Sequence, residues 1–494
     1  MRKPTDVFDR ETEWAELTEF ALADLPGLRI AVVFGRRRQG KSYLLRRLAE
    51  ASGGLYFLAT EQAETISLRR FGDTLATAVD LPSALRFDAW ETALETAVDL
   101  LVRRRAGRTP LLVLDEFPYL ATATPGLPSV VQSLYDRFGP GAGAPPVRLI
   151  LCGSAISIMS ELLSGTKALR GRGALELRIR PFAFRDARAF WGIDSPEVAF
   201  RHNALLGGTP GYRELVPQPT VPEHVHALDG WVAANVLRPS VPLFDEANRV
   251  IHEDPRIRDT AAYSSVLAAV AAGESSPTKI GGLLHRPATS LGHQLSMLES
   301  AGFVDRTSDL LLERRPVVTV ADPVMRLHHL VIEPFLGDLE AGRAAEIWAE
   351  TTHTVESKVF GPHFEALCRE WVTRFGRDEA GLVVGATGQA VVACRTHRTG
   401  HEVDVLSLSR GVRPRTAGAP IAFLGEAKFR AKRQGLAELE RLEHIRDLLS
   451  AAGHDATGAV LGIFSASGFS DDLRARAARD DRLRIITLND LYQR

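Results

Sequence analysis

The run Leu28-Arg29-Ile30-Ala31-Val32-Val33-Phe34 leads directly into Gly35-Arg36-Arg37-Arg38-Gln39-Gly40-Lys41-Ser42, and that into Tyr43-Leu44-Leu45-Arg46-Arg47-Leu48-Ala49. The first piece is β-branched and aromatic without a breaker, the pattern of a buried strand, and the last has apolar residues at helical spacing. Strand, GxxxxGK[ST], helix is compatible with very few folds, namely α/β parallel sheets whose first loop wraps a phosphate. The glycines let backbone N–H groups converge on the anion, and the start of the helix adds positive potential. On this reading Gly35, Arg38, Gln39, Gly40, Lys41, Ser42 and Tyr43 contact ATP, with Lys41 on the β- and γ-phosphates and the Ser42 hydroxyl on Mg²⁺. The three arginines inside the loop are either solvated surface or a further nucleotide or nucleic-acid contact.

A second apolar run, Leu111-Leu112-Val113-Leu114, closes on Asp115-Glu116. A buried parallel strand would deliver both carboxylates to the sheet edge where ligands bind. Asp115 then holds Mg²⁺ and Glu116 polarises the attacking water. A third run, Val147 to Cys152, ends in Gly153-Ser154, and Ser154 serves either at the γ-phosphate or as a helix N-cap. The chain has 494 residues, 45% hydrophobic and 24% charged, which excludes a disordered or rod-like whole and suggests about three domains. Its 60 basic and 61 acidic residues leave a net charge of −1, so nucleic acid would have to be held by local patches. No stretch is long and apolar enough for a membrane span. The three cysteines are far apart without metal-ligand spacing, and the N-terminus resembles no secretory signal, so a cytoplasmic location is expected.

Two further patterns lie downstream. Ser276 to Leu284, Pro287 to Leu298 and the strand-like Val317 to Val320 outline a winged helix, with Leu291, Leu295 and Leu298 as its core stripe and Thr289, Ser290, His293 and Gln294 outward. That outward face has no arginine or lysine, which weighs against independent DNA reading. An Ala/Glu-rich connector is expected near residues 339–350. After it, a helix carries Glu365, strands are expected at 381–385, 390–394 and 402–406, and a further strand holds Glu426-Ala427-Lys428. Residues two apart in a strand share a face, and a hairpin would bring Asp404 beside them. Asp404 and Glu426 supply hard oxygens for Mg²⁺, and Lys428 orients or deprotonates a water. This is the restriction-endonuclease-like PD-(D/E)XK pattern, with Glu365 resembling the extra acid of many members and Arg430, Lys432 and Arg433 offered to a phosphate backbone. A salt-bridged, solvated hairpin would look the same.

Phe8-Asp9-Arg10-Glu11, the arginine-rich loop, Leu114-Asp115-Glu116, Cys152-Gly153-Ser154, and Arg170-Gly171-Arg172 followed by Pro181-Phe182-Ala183-Phe184 together resemble the archaeal-type ATPase family, a branch of the AAA+ and STAND group. The resemblance implies that Arg172, or Arg170 beside it, contacts the phosphates in cis or across a subunit interface, as a homo-oligomer would require. Arg178 and Arg180 crowd the same stretch. It also implies that Pro210, in Gly207-Gly208-Thr209-Pro210, senses nucleotide through a helical lid, and that the C-terminal domain carries Gly-x-Glu-x-Lys. The chain departs from the family at Thr387-Gly388-Gln389 and in the longer loop 409–419. The expected architecture is α/β: a P-loop ATPase domain with lid at 1–235, a winged-helix domain at 236–345 and a nuclease-like domain at 346–494. The expected function is an ATP-regulated, metal-dependent nuclease acting on nucleic acid, DNA foremost, in a defence setting. The alternative is a STAND-type switch whose nuclease fold is inactive.

Overall fold

The computed structural model describes every residue except 105, 106, 165, 166, 253–256, 258, 314, 315, 395, 397 and 494. The first apolar run becomes β1 (Leu28–Phe34), joined by β2 (Leu55–Leu58), β3 (Leu111–Asp115), β4 (Val147–Gly153) and β5 (Gly173–Arg178). The sheet order is β2-β3-β4-β1-β5, all parallel. A parallel sheet covered on both faces selects continuous apolar strands, and every residue of β3 and β4 is buried. Phe57, Phe71, Trp90 and Val131 build the core on one face, and Trp14, Leu17, Leu44 and Leu48 build it on the other. Because β4 lies between β1 and β3, the segments leaving all three strands open along one edge of the sheet.

Beyond β5 the chain is mostly helical as far as Ser300, where β6 (Val304–Thr307) and β7 (Val317–Val320) form an antiparallel hairpin. Leu291, Leu295 and Leu298 are buried, while Thr289, Ser290 and His293 are exposed and Gln294 is half-buried. The connector expected at 339–350 is largely helix, Ala344–Val355, with Ile347 and Trp348 buried. Alanine and glutamate are strong helix formers, and these two apolar residues give the helix a face to dock. One apolar cluster runs from Phe184 through the middle of the chain to Tyr492. Within it Phe200, on the helix Pro196–Leu206, meets Phe429 at 4.7 Å between ring centroids and Phe364 at 5.8 Å. Among the described residues no helix is long and apolar enough to cross a membrane.

The C-terminal unit is a mixed sheet, ordered β12-β11-β10-β9-β8. Its strands are β8 (Val384–Cys394), β9 (Thr399–Ser409), β10 (Ile421–Lys428), β11 (Val460–Ser465) and β12 (Leu483–Thr487). Strands β8, β9 and β10 are antiparallel neighbours, and β10, β11 and β12 are parallel. The helix Gly361–Arg374 packs on one face through Phe364 and Trp371; Leu436–Ala451 packs on the other through Leu439, Leu442 and Ile445. The strands expected at 381–385 and 390–394 are replaced by a single strand that begins only at Val384. Glycines hold its register together: a side chain at Gly385 would come within 2.5 Å of the Ser409 carbonyl oxygen, so only glycine allows β8 to stay paired there. The register moves from Gly388↔Leu406 to Ala390↔Val403. That leaves one extra residue on β9, a bulge at Asp404 and Val405, the kind of irregularity that re-aims a side chain.

Candidate functional site

Gly40 adopts a left-handed φ of 85°, which turns the loop into the helix Lys41–Ser52 at low steric cost. The Lys41 ammonium, 4% exposed, donates to the Arg36 carbonyl at 2.8 Å. Arg38, Gln39, Gly40, Lys41, Ser42, Tyr43, Glu116 and Pro210 line a cavity of about 480 Å³. Gly35 lies behind the loop, its Cα packed close to the Ile179 carbonyl. Asp115 is fully buried; one carboxylate oxygen accepts from the Tyr56 hydroxyl and the other from the Glu116 N–H at 2.9 Å. Glu116, itself at φ 54°, accepts from the Ser154 hydroxyl at 3.2 Å. Burial raises its pKa and nearby Lys41 opposes that rise. Ser154 therefore reaches the cavity through Glu116.

Phe8, Phe182 and Phe190 also line the cavity, pairwise 5.2–5.4 Å apart and tilted 54–67° to one another, as an apolar aromatic wall. Arg10 holds this wall to the loop: it lies 4.5 Å over Phe182 and donates to the carbonyls of Gln39 at 3.3 Å and Arg180 at 2.7 Å. Two of the loop's arginines make ion pairs with distant segments. Arg36 pairs with Asp322 at 2.9 Å and Arg38 with Glu246 at 2.5 Å. Asp322 and Glu246 are 2% and 1% exposed. Both arginines therefore latch the loop to distant segments, and Arg38 lines the cavity as well. Arg172 is not among the residues lining the cavity. Its guanidinium forms a fork with Asp136, at 3.0 and 3.2 Å, on the helix Leu127–Phe138.

A second cluster lies on the C-terminal sheet. Lys428 ion-pairs with Glu426, two residues before it on β10, and its ammonium is 3.5 Å from Asp404 Oδ2. Asp404 also accepts from the Ala427 N–H at 2.9 Å, and Arg369 holds the Asp404 carbonyl at 2.7 Å. Arg441, on the helix Leu436–Ala451, binds the other Glu426 oxygen and donates to the Glu402 carbonyl at 2.7 Å. Burial, and then the charge of Asp404, push the Glu365 carboxyl up to about 7. Glu365, Glu402 and Asp404 face Ser276, Lys279 and Asp309 across a cleft of about 650 Å³. Arg430, Lys432 and Arg433 are exposed beyond β10.

The raised Glu365 value sets a pH dependence. Between the ordinary glutamate value of 4.5 and about 7, the folded chain keeps a proton that the unfolded chain has released, so stability falls as pH rises through this window. Urea midpoints of the metal-free protein at pH 5 and pH 8 should show that fall, and Glu365→Gln should flatten it. An unchanged slope in the variant would assign the titration elsewhere.

The sheet order, the glycine loop and the paired carboxylates define a P-loop nucleotide-binding domain. Residues 7–198 match the family described as an ATPase domain predominantly from Archaea, so this part of the chain is an archaeal-type ATPase domain. The chain is 24% identical over 341 residues to the uncharacterized protein MJECL04 of Methanocaldococcus jannaschii, a match covering 68% of this chain and 70% of that protein. Among solved structures it is similar to the Walker-type ATPase PABY2304 of Pyrococcus abyssi, with TM-score 0.50 and 19% identity over 66% of this chain and 97% of that one. The ORC2 protein of Aeropyrum pernix, in ADPNP and ADP complexes, gives TM-score 0.44 and 15% identity over 69% and 97%.

Sequence reasoning missed Tyr56, the aromatic wall of the cavity, Arg369 and Arg441. Tyr56 carried no signal, since only sheet pairing (Tyr56↔Val113) puts it beside Asp115. Phe8 and Phe182 were visible as part of the family resemblance but had no assigned role. Arg369 stands four residues after Glu365, a helical spacing that could have flagged it.

Proposed function

We propose that the chain binds and hydrolyses ATP and couples its nucleotide state to a metal-dependent nuclease-like unit acting on nucleic acid, DNA foremost. The observation that carries the nuclease half is the convergence of Asp404, Glu426 and Lys428, with Glu365 behind them, at a β-bulge beside an open cleft. In the ATPase domain, Lys41 neutralises the β- and γ-phosphates, Glu116 orients the attacking water and Ser154 holds Glu116 in place. The donors present fit Mg²⁺: the Ser42 hydroxyl lines the cavity, and Asp115 is a buried carboxylate fixed by Tyr56 and a backbone N–H. At the second cluster the hard oxygens of Asp404, Glu426 and Glu365 suit the same ion. Bound there, it supplies positive charge to a phosphodiester. Lys428 then positions the water, and the exposed Arg430, Lys432 and Arg433 hold the backbone.

The helices 260–300 with their hairpin act as a winged-helix lever between the two units. Arg172, held ready by Asp136, serves the nucleotide of a neighbouring copy in a homo-oligomer. A second reading, in which the C-terminal unit only binds, has one observation in its favour: Glu426 is already ion-paired on both oxygens, by Lys428 and Arg441.

The test is cleavage of single- and double-stranded DNA and RNA with Mg²⁺ or Mn²⁺, with and without ATP. Cutting is expected, lost in Asp404→Ala and altered in its ATP response by Lys41→Ala. Intact ATP hydrolysis without cutting of any substrate would overturn the nuclease half and promote the binding platform.

A further inference from the structure

Away from the acidic cleft, the opposite face of β8 and β9 carries three metal-capable donors from three elements. Cys394 ends β8, and Val392 pairs with His401 across the hairpin. Cys394 and His401 are therefore diagonal neighbours on one face. The helix Leu436–Ala451 covers that face and brings His444 Nε2 to 3.5 Å from Cys394 Sγ. The rings of His401 and His444 stand edge to face with centroids 5.4 Å apart. One donor atom from each of the three residues lies within 4.8 Å of the other two. Cys394 is 3% exposed and both histidines are half-buried.

The spacing matches a particular ion. Zinc holds sulfur at about 2.3 Å and imidazole nitrogen at about 2.0–2.1 Å in a tetrahedral arrangement, which sets a sulfur–nitrogen separation of about 3.5 Å. That is the Cys394–His444 separation. His401 needs to close by at most about 1.5 Å to complete the set. One thiolate with two imidazoles is a soft-to-borderline donor set, which selects zinc over the magnesium or calcium that carboxylates prefer.

We propose that Cys394, His401 and His444 bind one zinc ion. Binding releases the thiol proton, so affinity rises with pH. The ion clips the helix to the hairpin just behind the acidic cleft: Asp404 follows His401 by three residues on β9, and Arg441 precedes His444 by one helical turn. The site stands whether or not Asp404 and Glu426 support cleavage.

The experiment uses the full chain, stripped with chelator and titrated first with Co²⁺ and then with Zn²⁺. A thiolate-to-cobalt charge-transfer band that saturates at one cobalt per chain and is displaced by zinc is expected. Cys394→Ser should abolish the band, and Cys394→Ser and His444→Gln should each weaken zinc binding by roughly 100-fold or more, the upper end of what losing a mere supporting group costs. Asp404→Ala should leave band and affinity unchanged, separating this site from the acidic cluster. A folded wild-type chain that binds no cobalt, or binds it without the band, overturns the proposal and leaves Cys394 and His444 as a thiol–imidazole hydrogen bond. Undiminished zinc affinity in both variants overturns it as well. The wild-type spectrum decides even if a variant fails to fold.

Discussion

Lys41→Ala should lower ATP turnover roughly 10²–10³-fold, the cost of removing one preorganised electrostatic donor from a phosphoryl-transfer site, while leaving thermal stability undiminished. The second half of that expectation comes from the environment of the side chain. Lys41 is 4% exposed and rests its ammonium on the Arg36 carbonyl. Burial pulls its pKa down, against the nearby negative groups that hold it up. A buried cation whose desolvation outweighs the attraction of Glu116 and Asp115 is a burden to the folded chain until phosphate arrives. Removing it therefore relieves the empty site and disables the occupied one. Phosphate release against ATP concentration, run beside thermal melts, checks both parts. A variant that melts several degrees lower would make Lys41 a structural residue and sink the assignment.

Asp322→Ala should destabilise the fold by about 3–5 kcal/mol, the range for breaking a buried ion pair from one side. Asp322 is 2% exposed and serves four groups: the Arg36 guanidinium at 2.9 Å, the Tyr212 hydroxyl at 3.0 Å, and the N–H groups of Val324 at 2.8 Å and Met325 at 3.3 Å. Its loss strands a buried guanidinium and uncaps the helix Pro323–Leu327. Asp322→Asn keeps most of the hydrogen bonds without the charge and should fall between wild type and alanine. Urea unfolding measures the series. A loss under about 1 kcal/mol for alanine would mean that water reaches Arg36 and that the latch carries little.

The glycine loop could be read directly because every determinant is contiguous: strand, turn and helix lie within one short stretch, and each has a local physical signature. The carboxylate pair after β3 was readable for the same reason. Asp404, Glu426 and Lys428 were readable as residue types in order, although the bulge that aims Asp404 was not, since a bulge is a relation between two strands. Arg36 and Arg38 show the limit most clearly. Their partners Asp322 and Glu246 are brought to them only by tertiary packing, and no periodicity near the loop announces an acid so far along the chain. The residues at 339–350 are a different case. Their Ala/Glu content suggested a connector, but the same composition favours helix, and Ile347 and Trp348 gave that helix a buried side.

The helix Pro196–Leu206 ends at the turn that delivers Pro210 to the nucleotide cavity, and its Phe200 lies against Phe429, the residue after Lys428. At 1.5 Å per residue it is about 16 Å long, too short to bend appreciably. A rod of that kind gives the lineage little freedom: a substitution that re-angles it at Phe200 misaligns the turn at Pro210 unless a second change answers it. The two contacts should therefore have been inherited and altered as a pair, and a helix borrowed from another ATPase would need its own version of Phe429 to come with it.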